Sequence, residues 1–400
     1  MSDAPPALAG IRVVDLTSVV FGPLATQTLA DYGADVNKIE PPEGESTRRT
    51  GPARESDMAS IYLGVNRNKR SVVLDLKQAV ARDALLALVD TADVFIHNVR
   101  PQKLAALGLD AATLRARCPR LIYVGLHGFG DGGPYAGQPA YDDIIQSLSG
   151  AADLMQHQAG EPRFLPTIAA DKVCGHMAVH AVLAALFQRT RTGRGQVVEV
   201  PMLEGMTAFL LAEHYYQRHL QPGGELGYPR SLGPSRKPHR TADGHVCVMP
   251  YTDTHWQRFF AACGRPDLAA DPRFAGIAQR TRHVAELHAE VAALVLQQPS
   301  AHWLALCAGL DIPCAPIRQL HELEDDPHLR AVGLFQDVAD GEGPPYRFVR
   351  QPVRLSDSAV PMTMPPRLGQ HTHEVLATLP LSDAQRAALL PTTPTMETTR

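Results

Sequence analysis

Asp171 stands at the start of the longest helical pattern in the chain, among the small residues Ala169 and Ala170. Two readings of it stand side by side. As structure it is an N-cap, a carboxylate that accepts backbone N–H bonds and suits the positive end of the helix dipole. As chemistry it is a carboxylate with room for a ligand beside it, able to attack a thioester as a nucleophile. Pattern alone leaves both open.

Other constellations point away from familiar chemistries. His176 and His180 lie four apart on the same helical pattern, but Met177-Ala178-Val179 between them supplies no Glu for an H-E-x-x-H zinc site, so histidines partly buried or at an interface are expected. The run Gly128-Phe129-Gly130-Asp131-Gly132-Gly133 follows a strand pattern, yet Pro134-Tyr135-Ala136-Gly137 holds the chain in a loop instead of opening a helix, so a dinucleotide turn is not expected. The sequence has no G-x-S-x-G elbow.

The elements that must position these residues alternate. Ile11 to Leu16 reads as a strand, Pro23 to Tyr32 as a helix with Gly22-Pro23 at its start and Gly33 at its stop, and Val36 to Glu40 as a second strand. Strand patterns follow at Ser71 to Leu76, Val94 to His97 and Leu121 to Leu126, with a helix around Ala79 to Asp90. The long helix opened by Asp171 closes at Gly193 and Gly195 and is followed by a strand at Gln196 to Val200. This order predicts an α/β fold with a largely parallel sheet and ligands at the carboxyl ends of its strands. From Pro222 to Arg240 the composition turns to Gly, Pro and basic residues, read as a linker into a second lobe that begins with a strand at His245 to Met249 and continues as helices to about Gln319. Strand-like alternation returns at Tyr346 to Leu355, and the tail from Pro391 reads as frayed.

Composition bounds the partners. Thirty-eight Lys and Arg against 42 Asp and Glu give no reason to expect nucleic acid. Six scattered cysteines without a C-x-x-C pair suggest neither zinc nor a disulfide framework and fit a reducing cytoplasm. The amino terminus lacks a basic and an apolar signal region and no apolar run of about 18 residues stands out, so a soluble, unprocessed protein away from membranes is expected.

A resemblance runs along nearly the whole chain. Val13-Val14-Asp15-Leu16 with Gly22-Pro23, Gly33-Ala34-Asp35-Val36 with Lys38-Ile39-Glu40, Asn68-Lys69-Arg70-Ser71 with Leu74-Asp75-Leu76-Lys77, and Asn98-Val99-Arg100-Pro101 come in the order of the formyl-CoA and carnitine-CoA transferases, the family III (CaiB/BaiF) CoA-transferases. Tyr141-Asp142 with Gly150, Thr192-Gly193-Arg194-Gly195-Gln196, and Pro366-Arg367-Leu368-Gly369-Gln370-His371-Thr372 extend the match.

The resemblance implies that Asp171 is the nucleophile and forms an aspartyl-CoA thioester through mixed anhydrides, with coenzyme A and acyl-CoA as substrates and no bound cofactor or metal. Carried over by position, CoA contacts fall on Val20, Phe21, Leu74, Asp75, Lys77, Asn98, Val99, Arg100, His127, Gly128 and Phe129. Where formyl-CoA transferases have Gln and two Arg, this chain has Val20, Pro41 and Ala106, which leaves phosphate contacts to Arg48 or Lys103 and makes oxalate doubtful as acceptor. Related 2-methylacyl-CoA racemases place a His where this chain has Tyr141, which favours transfer over racemisation. The remaining alternatives are another CoA-ester isomerase or a non-catalytic acyl-CoA-binding protein. The resemblance also implies a Rossmann-like large domain with a small α+β domain, in an interlocked ring-like homodimer. Its boundaries on this chain are 1–221 and 330–400 for the large domain and 222–329 for linker and small domain. Succinyl-CoA with a small dicarboxylate is the preferred pair, from family breadth and the basic stretch Arg230, Arg236, Lys237, His239 and Arg240.

Overall fold

The computed structural model describes residues 4–341 and 343–390; the tail read as frayed lies outside the described residues. The chain divides into two compact units, one formed by the residues up to Ser149, Thr167–Thr207 and those from Ala331 on, the other by Gly150–Pro166 and Ala208–Arg330.

The first unit carries a six-stranded sheet in the order β3-β2-β1-β4-β5-β6, built from β1 (Arg12–Leu16), β2 (Asp35–Glu40), β3 (Arg70–Val73), β4 (Val94–His97), β5 (Ile122–His127) and β6 (Val197–Pro201). Every pairing is parallel; Val13 is in register with Val36 on one side and Val94 on the other. Strands of such a sheet are covered on both faces, which is why Val94-Phe95-Ile96-His97 is buried at every position instead of alternating. The order of the strands reverses between β1 and β4, and that switch point opens a crevice at the carboxyl ends.

The α-helices up to Thr192 are, in chain order, α1 (Phe21–Asp31), α2 (Ser60–Val65), α3 (Ala79–Val89), α4 (Pro101–Ala106), α5 (Ala111–Arg117), α6 (Asp142–Ser149), α7 (Ala151–Ala159) and α8 (Ala169–Thr192). Of these, α7 belongs to the second unit. Helix α8 ends where Gly193 takes a left-handed conformation at φ 71°. On length and composition it is apolar enough to cross a bilayer, contrary to the reading that no such run occurs, but half of its 18-residue apolar window is buried. It packs on α1, where a methyl added at Gly175 would sit 3.0 Å from the Phe21 carbonyl oxygen, so the small residue sets the helix separation.

The carboxyl-terminal segment enters this unit's core, where Val375 and Leu376 belong to the same cluster as Val72, Leu74, Leu85 and Phe95. The carboxyl-terminal segment also satisfies the edge of β3: Val73 N–H donates to Thr372 Oγ1 at 3.0 Å and Gly369 N–H to Ser71 Oγ at 3.0 Å. An antiparallel pair, Phe335–Val338 with Tyr346–Val349, occupies the first part of the span read as strand to Leu355.

The second unit has a three-stranded antiparallel sheet of His239–Arg240, His245–Val248 and Cys314–Pro316 and an aromatic core of Trp256, Phe259, Phe260, Phe274 and Trp303. Composition places the start of the lobe near 222, whereas this unit also takes Ala208 onward and the separate piece Gly150–Pro166. In the basic stretch the Arg230 guanidinium lies 5.4 Å from the centre of the Tyr251 ring, and burial, aided by the neighbouring His288, pushes His239 down to about 4.

Candidate active site

The first turn of α8 departs from the N-cap reading. Ile168 holds the cap position and makes no side-chain cap bond, while Asp171 is the third residue of the helix. The cap comes from another helix: Asp142, first residue of α6, accepts from Ala170 N–H at 2.7 Å and from Asp171 N–H at 3.3 Å through Oδ1. Its Oδ2 accepts from Gln146 Nε2 at 2.6 Å, which fixes the carboxylate. With the exposed N–H groups of α8 satisfied in this way, the Asp171 side chain is released from capping.

Asp171 retains only 8% of its surface exposure and shares a cavity wall with Phe21, the first residue of α1. Its carboxylate thus lies by the opening turns of two helices, where their dipoles favour negative charge. Burial, then the nearby Asp142 charge, push its pKa from 3.8 up to about 6, and the Phe21 backbone opposes them. Such a group is ionised at neutral pH yet more basic than an ordinary carboxylate, which suits a nucleophile.

Asp171 lines a cavity of about 440 Å³ together with Ser18, Val19, Phe21, Asn98, Arg100, His127, Gly128, Phe129 and Tyr141. The walls come from the segments after β1, β4 and β5, so the cavity occupies the switch-point crevice. Of the positions singled out from the sequence, Phe21, Asn98, Arg100, His127, Gly128, Phe129 and Asp171 meet here. Val20 is buried as the cap residue of α1, and the Val99 carbonyl lies 3.2 Å from His97 Nδ1. Leu74, Asp75 and Lys77 line a separate, more apolar depression of about 210 Å³ with Leu16, Ile39 and Pro41, at the carboxyl ends of β1, β2 and β3.

Two of these side chains have local duties. Asn98 spans the switch point, its Oδ1 accepting from Ser18 N–H at 3.1 Å and its Nδ2 donating to the Ser18 carbonyl at 2.8 Å. The His127 ring folds back over its own strand, 2.6 Å from where a methyl on Gly125 would lie, so only glycine fits there. Burial lowers the pKa of His127, and burial followed by the His127 charge lowers His97 to about 3, so both rings are neutral at pH 7. The glycine loop is braced by carboxylates, with Gly130 N–H donating to Glu204 at 3.0 Å and Asp131 N–H to Glu199 at 2.7 Å. Those N–H groups are therefore not free for a pyrophosphate.

Arg48 is a correction. It is completely buried, paired through Nε and Nη2 with Glu40 at 2.7 and 2.6 Å, and bonded to Tyr62 and to the Pro366 carbonyl. It holds the sheet to the carboxyl-terminal segment and cannot reach a phosphate. Lys103 and Arg100 are exposed. His176 and His180 are both exposed, not buried, and among the described residues no three His, Cys, Asp or Glu side chains cluster as a metal site.

The sequence reading missed Asp142 and Glu45. Asp142 enters it only as part of Tyr141-Asp142, because its partners lie 28 and 29 positions away. Glu45 accepts from Val19 N–H at 2.7 Å and pairs with the buried Lys38 at 2.8 Å, and nothing local marks either contact.

Comparison with known proteins gives consistent matches. The model of CoA-transferase family III matches residues 8–372. The chain is 35% identical over 394 residues to a succinate–glutarate CoA-transferase of Agrobacterium fabrum, covering 95% of this chain and 98% of that protein. It is 33% identical over 396 residues to a succinyl-CoA:mesaconate CoA-transferase of Haloarcula hispanica, covering 96% of each. The crystal structure of Rv3272 from Mycobacterium tuberculosis in its orthorhombic form superposes with a TM-score of 0.81 at 33% identity, over 92% of this chain and 99% of that one.

Proposed function

This chain belongs to CoA-transferase family III, and from that premise we propose that it moves CoA from succinyl-CoA to a small dicarboxylic acid through a thioester on Asp171. One observation carries the reading: a carboxylate nine-tenths buried, raised to about 6, faces a cavity at the start of two helices.

In this mechanism the Asp171 carboxylate attacks the donor thioester carbonyl, forming a mixed anhydride and expelling CoA thiolate. The thiolate then attacks the Asp171 acyl carbon, giving the aspartyl thioester and freeing the donor acid. The acceptor carboxylate attacks that thioester, CoA thiolate leaves again, and its attack on the acceptor's acyl carbon releases the new acyl-CoA and restores Asp171. Each step exchanges one acyl bond for another, and no net proton or electron is consumed. In the steps at the Asp171 carbon, negative charge collects on an oxygen close to the opening turn of α1, where backbone N–H groups and the helix dipole favour it.

Arg100 at the cavity rim is suited to the phosphates of CoA. Leu74, Asp75 and Lys77 form a second contact region along the same strand edge. The dicarboxylate preference rests on the named activities of the two relatives and on the basic stretch around Arg236. Tyr141 on the cavity wall, where a racemase would carry His, supports transfer over proton exchange. The reading includes a cytoplasmic homodimer with interlocked chains; Tyr141 just before α6 and Ile144 and Leu148 on it are exposed apolar side chains that a second copy would cover.

The test is mass spectrometry of the protein incubated with succinyl-CoA and quenched with hydroxylamine or borohydride, beside an Asp171→Ala variant. Modification confined to Asp171 is the expected result. An unmodified Asp171 across several acyl-CoA donors would overturn the mechanism.

A further inference from the structure

A second cavity, of about 290 Å³, lies in the same unit between the end of α1, the turn before β3 and the segment 350–362. It shares no lining residue with the active-site cavity: Phe21 at the start of α1 lines the one and Asp31 at its end the other, about 15 Å along the helix. Two arginines on its wall, Arg350 and Arg354, pair with no carboxylate among the described residues. Arg350 donates from Nε to the Gly333 carbonyl at 2.8 Å, from Nη1 to that of Gln351 at 2.7 Å and from Nη2 to that of Val332 at 3.1 Å. Arg354 Nη2 donates to the same Val332 carbonyl. Sharing one acceptor holds the two Nη2 atoms no farther apart than two hydrogen-bond lengths, a separation at which like charges repel unless an anion joins them. Of the five N–H groups on each guanidinium, two on Arg350 and four on Arg354 are left to donate. Burial and then the Arg354 charge hold Arg350 below the usual arginine range. The other charges on the wall are already balanced, since Asp31 accepts from Arg67 at 2.5 and 3.0 Å and from Asn68 at 2.9 Å.

We propose that this cavity binds a small organic acid, with its carboxylate on Arg350 and Arg354 and a short apolar chain against Leu355, Val360 and Met362. Guanidinium groups take a carboxylate in paired N–H···O bonds, which would also neutralise the two adjoining charges. Ser358 Oγ, on the same wall, accepts from Ala7 N–H at 2.8 Å and keeps its own proton to donate. The cavity volume falls at the lower edge of the range for drug-sized ligands, so a compact molecule fits it. A bare inorganic anion would satisfy the arginines and leave the apolar side chains against water. The inference does not depend on the role of Asp171, because no residue of the active-site cavity takes part.

The experiment titrates the protein with hexanoate, acetate, 1-hexanol and inorganic phosphate and follows hydrogen–deuterium exchange by mass spectrometry in peptides spanning residues 350–362. Reading those peptides alone keeps an acid bound in the active-site cavity out of the result. Hexanoate should protect them saturably. Acetate should bind about tenfold or more weakly, as expected for the loss of about two buried methylenes, and 1-hexanol likewise for the loss of hydrogen bonds to a charged group. Arg354→Gln leaves the three carbonyl bonds of Arg350 in place and should weaken hexanoate about tenfold or more. Met362→Trp, which fills the apolar end and keeps both arginines, should weaken it by a similar factor. Phosphate or acetate as effective as hexanoate would show an adventitious ion only, and 1-hexanol as effective would show apolar contact only; either overturns the proposal. So does hexanoate protection unchanged in both folded variants. A folded Arg354→Gln protein that loses its oligomeric state in gel filtration would show that the two arginines meet a second copy of the chain, which also overturns it.

Discussion

Replacing Asp171 with Asn should make the protein more stable at neutral pH while abolishing transfer. Burial and the Asp142 charge lift the Asp171 pKa from 3.8 to about 6. At about 1.36 kcal/mol for each pH unit, that interval corresponds to roughly 3 kcal/mol spent on ionising the carboxylate in the folded state. The sign follows from the direction of the shift. Below about pH 4 the group is protonated whether the chain is folded or not and costs nothing; between 4 and 6 the unfolded chain ionises first and stability falls; above about 6 the full cost is present. Asn keeps the shape without the charge. Urea unfolding of both proteins at pH 4, 5, 6, 7 and 8 should show a stability gap near zero at the lowest pH that opens to about 2 to 3 kcal/mol by pH 7. A gap independent of pH, or an Asn variant less stable than wild type at pH 8, would refute the account of Asp171 as a strained charge.

Three further outcomes follow from the same geometry. Succinate exchange should fall about tenfold for each pH unit well below 6 and level off above 7, because only the ionised Asp171 attacks; a rate profile flat from pH 5 to 8 would contradict this. Asp142→Ala removes both caps on the first turn of α8, at about 1 to 2 kcal/mol of stability, and also removes the neighbouring negative charge, so the acid limb of the rate profile should move to lower pH; calorimetry and the profile check the two effects independently. Arg48→Met strands Glu40 in the interior and should cost about 3 kcal/mol or more in denaturant titrations, while a surviving folded fraction should keep its KM for CoA.

What the sequence discloses follows from how far apart the cooperating residues are. The β1, β4 and β5 strands and α1 were legible because each is written in contiguous residues: β4 by the apolar run Val94 to Ile96, α1 by Gly22-Pro23 in its first turn and Gly33 after it. The strand read to Leu76 stops instead at Val73, opposite Glu40, the last residue of its partner β2, and Thr372 and Gly369 bond to β3 from nearly 300 positions away. Asp171 was singled out with a capping and a nucleophile reading side by side, and the capping duty belongs to Asp142, since helix patterns show where a helix begins and not which distant carboxylate meets its N–H groups. Arg48 looked like a phosphate ligand for the same reason. An arginine near a strand end is ambiguous until the carboxylate that neutralises it, Glu40, is seen to lie beside it in the interior. Likewise Asn98, read as a ligand contact, spends both ends of its amide on Ser18.

The residues hardest to read are also those that break local rules, and they form one connected structure. Lys38, Glu40, Glu45 and Arg48 place four charges in the interior, a poor choice for stability because buried pairs recover little more than their desolvation cost. Val19 adds a strained backbone and Asp171 an expensive ionisation. Were stability the only requirement, apolar residues at the paired positions and a glycine at 19 would serve better. What the ions provide is a fixed backbone. Hydrogen bonds from charged groups fix backbone positions more narrowly than apolar packing, and here Lys38 holds the Thr17 carbonyl and Glu45 the Val19 N–H, on the stretch that leads from β1 to the cavity wall shared by Phe21 and Asp171. Under the proposed mechanism a wall that shifted by an ångström would misplace the reacting groups, and the cost of these ions in stability is set against that.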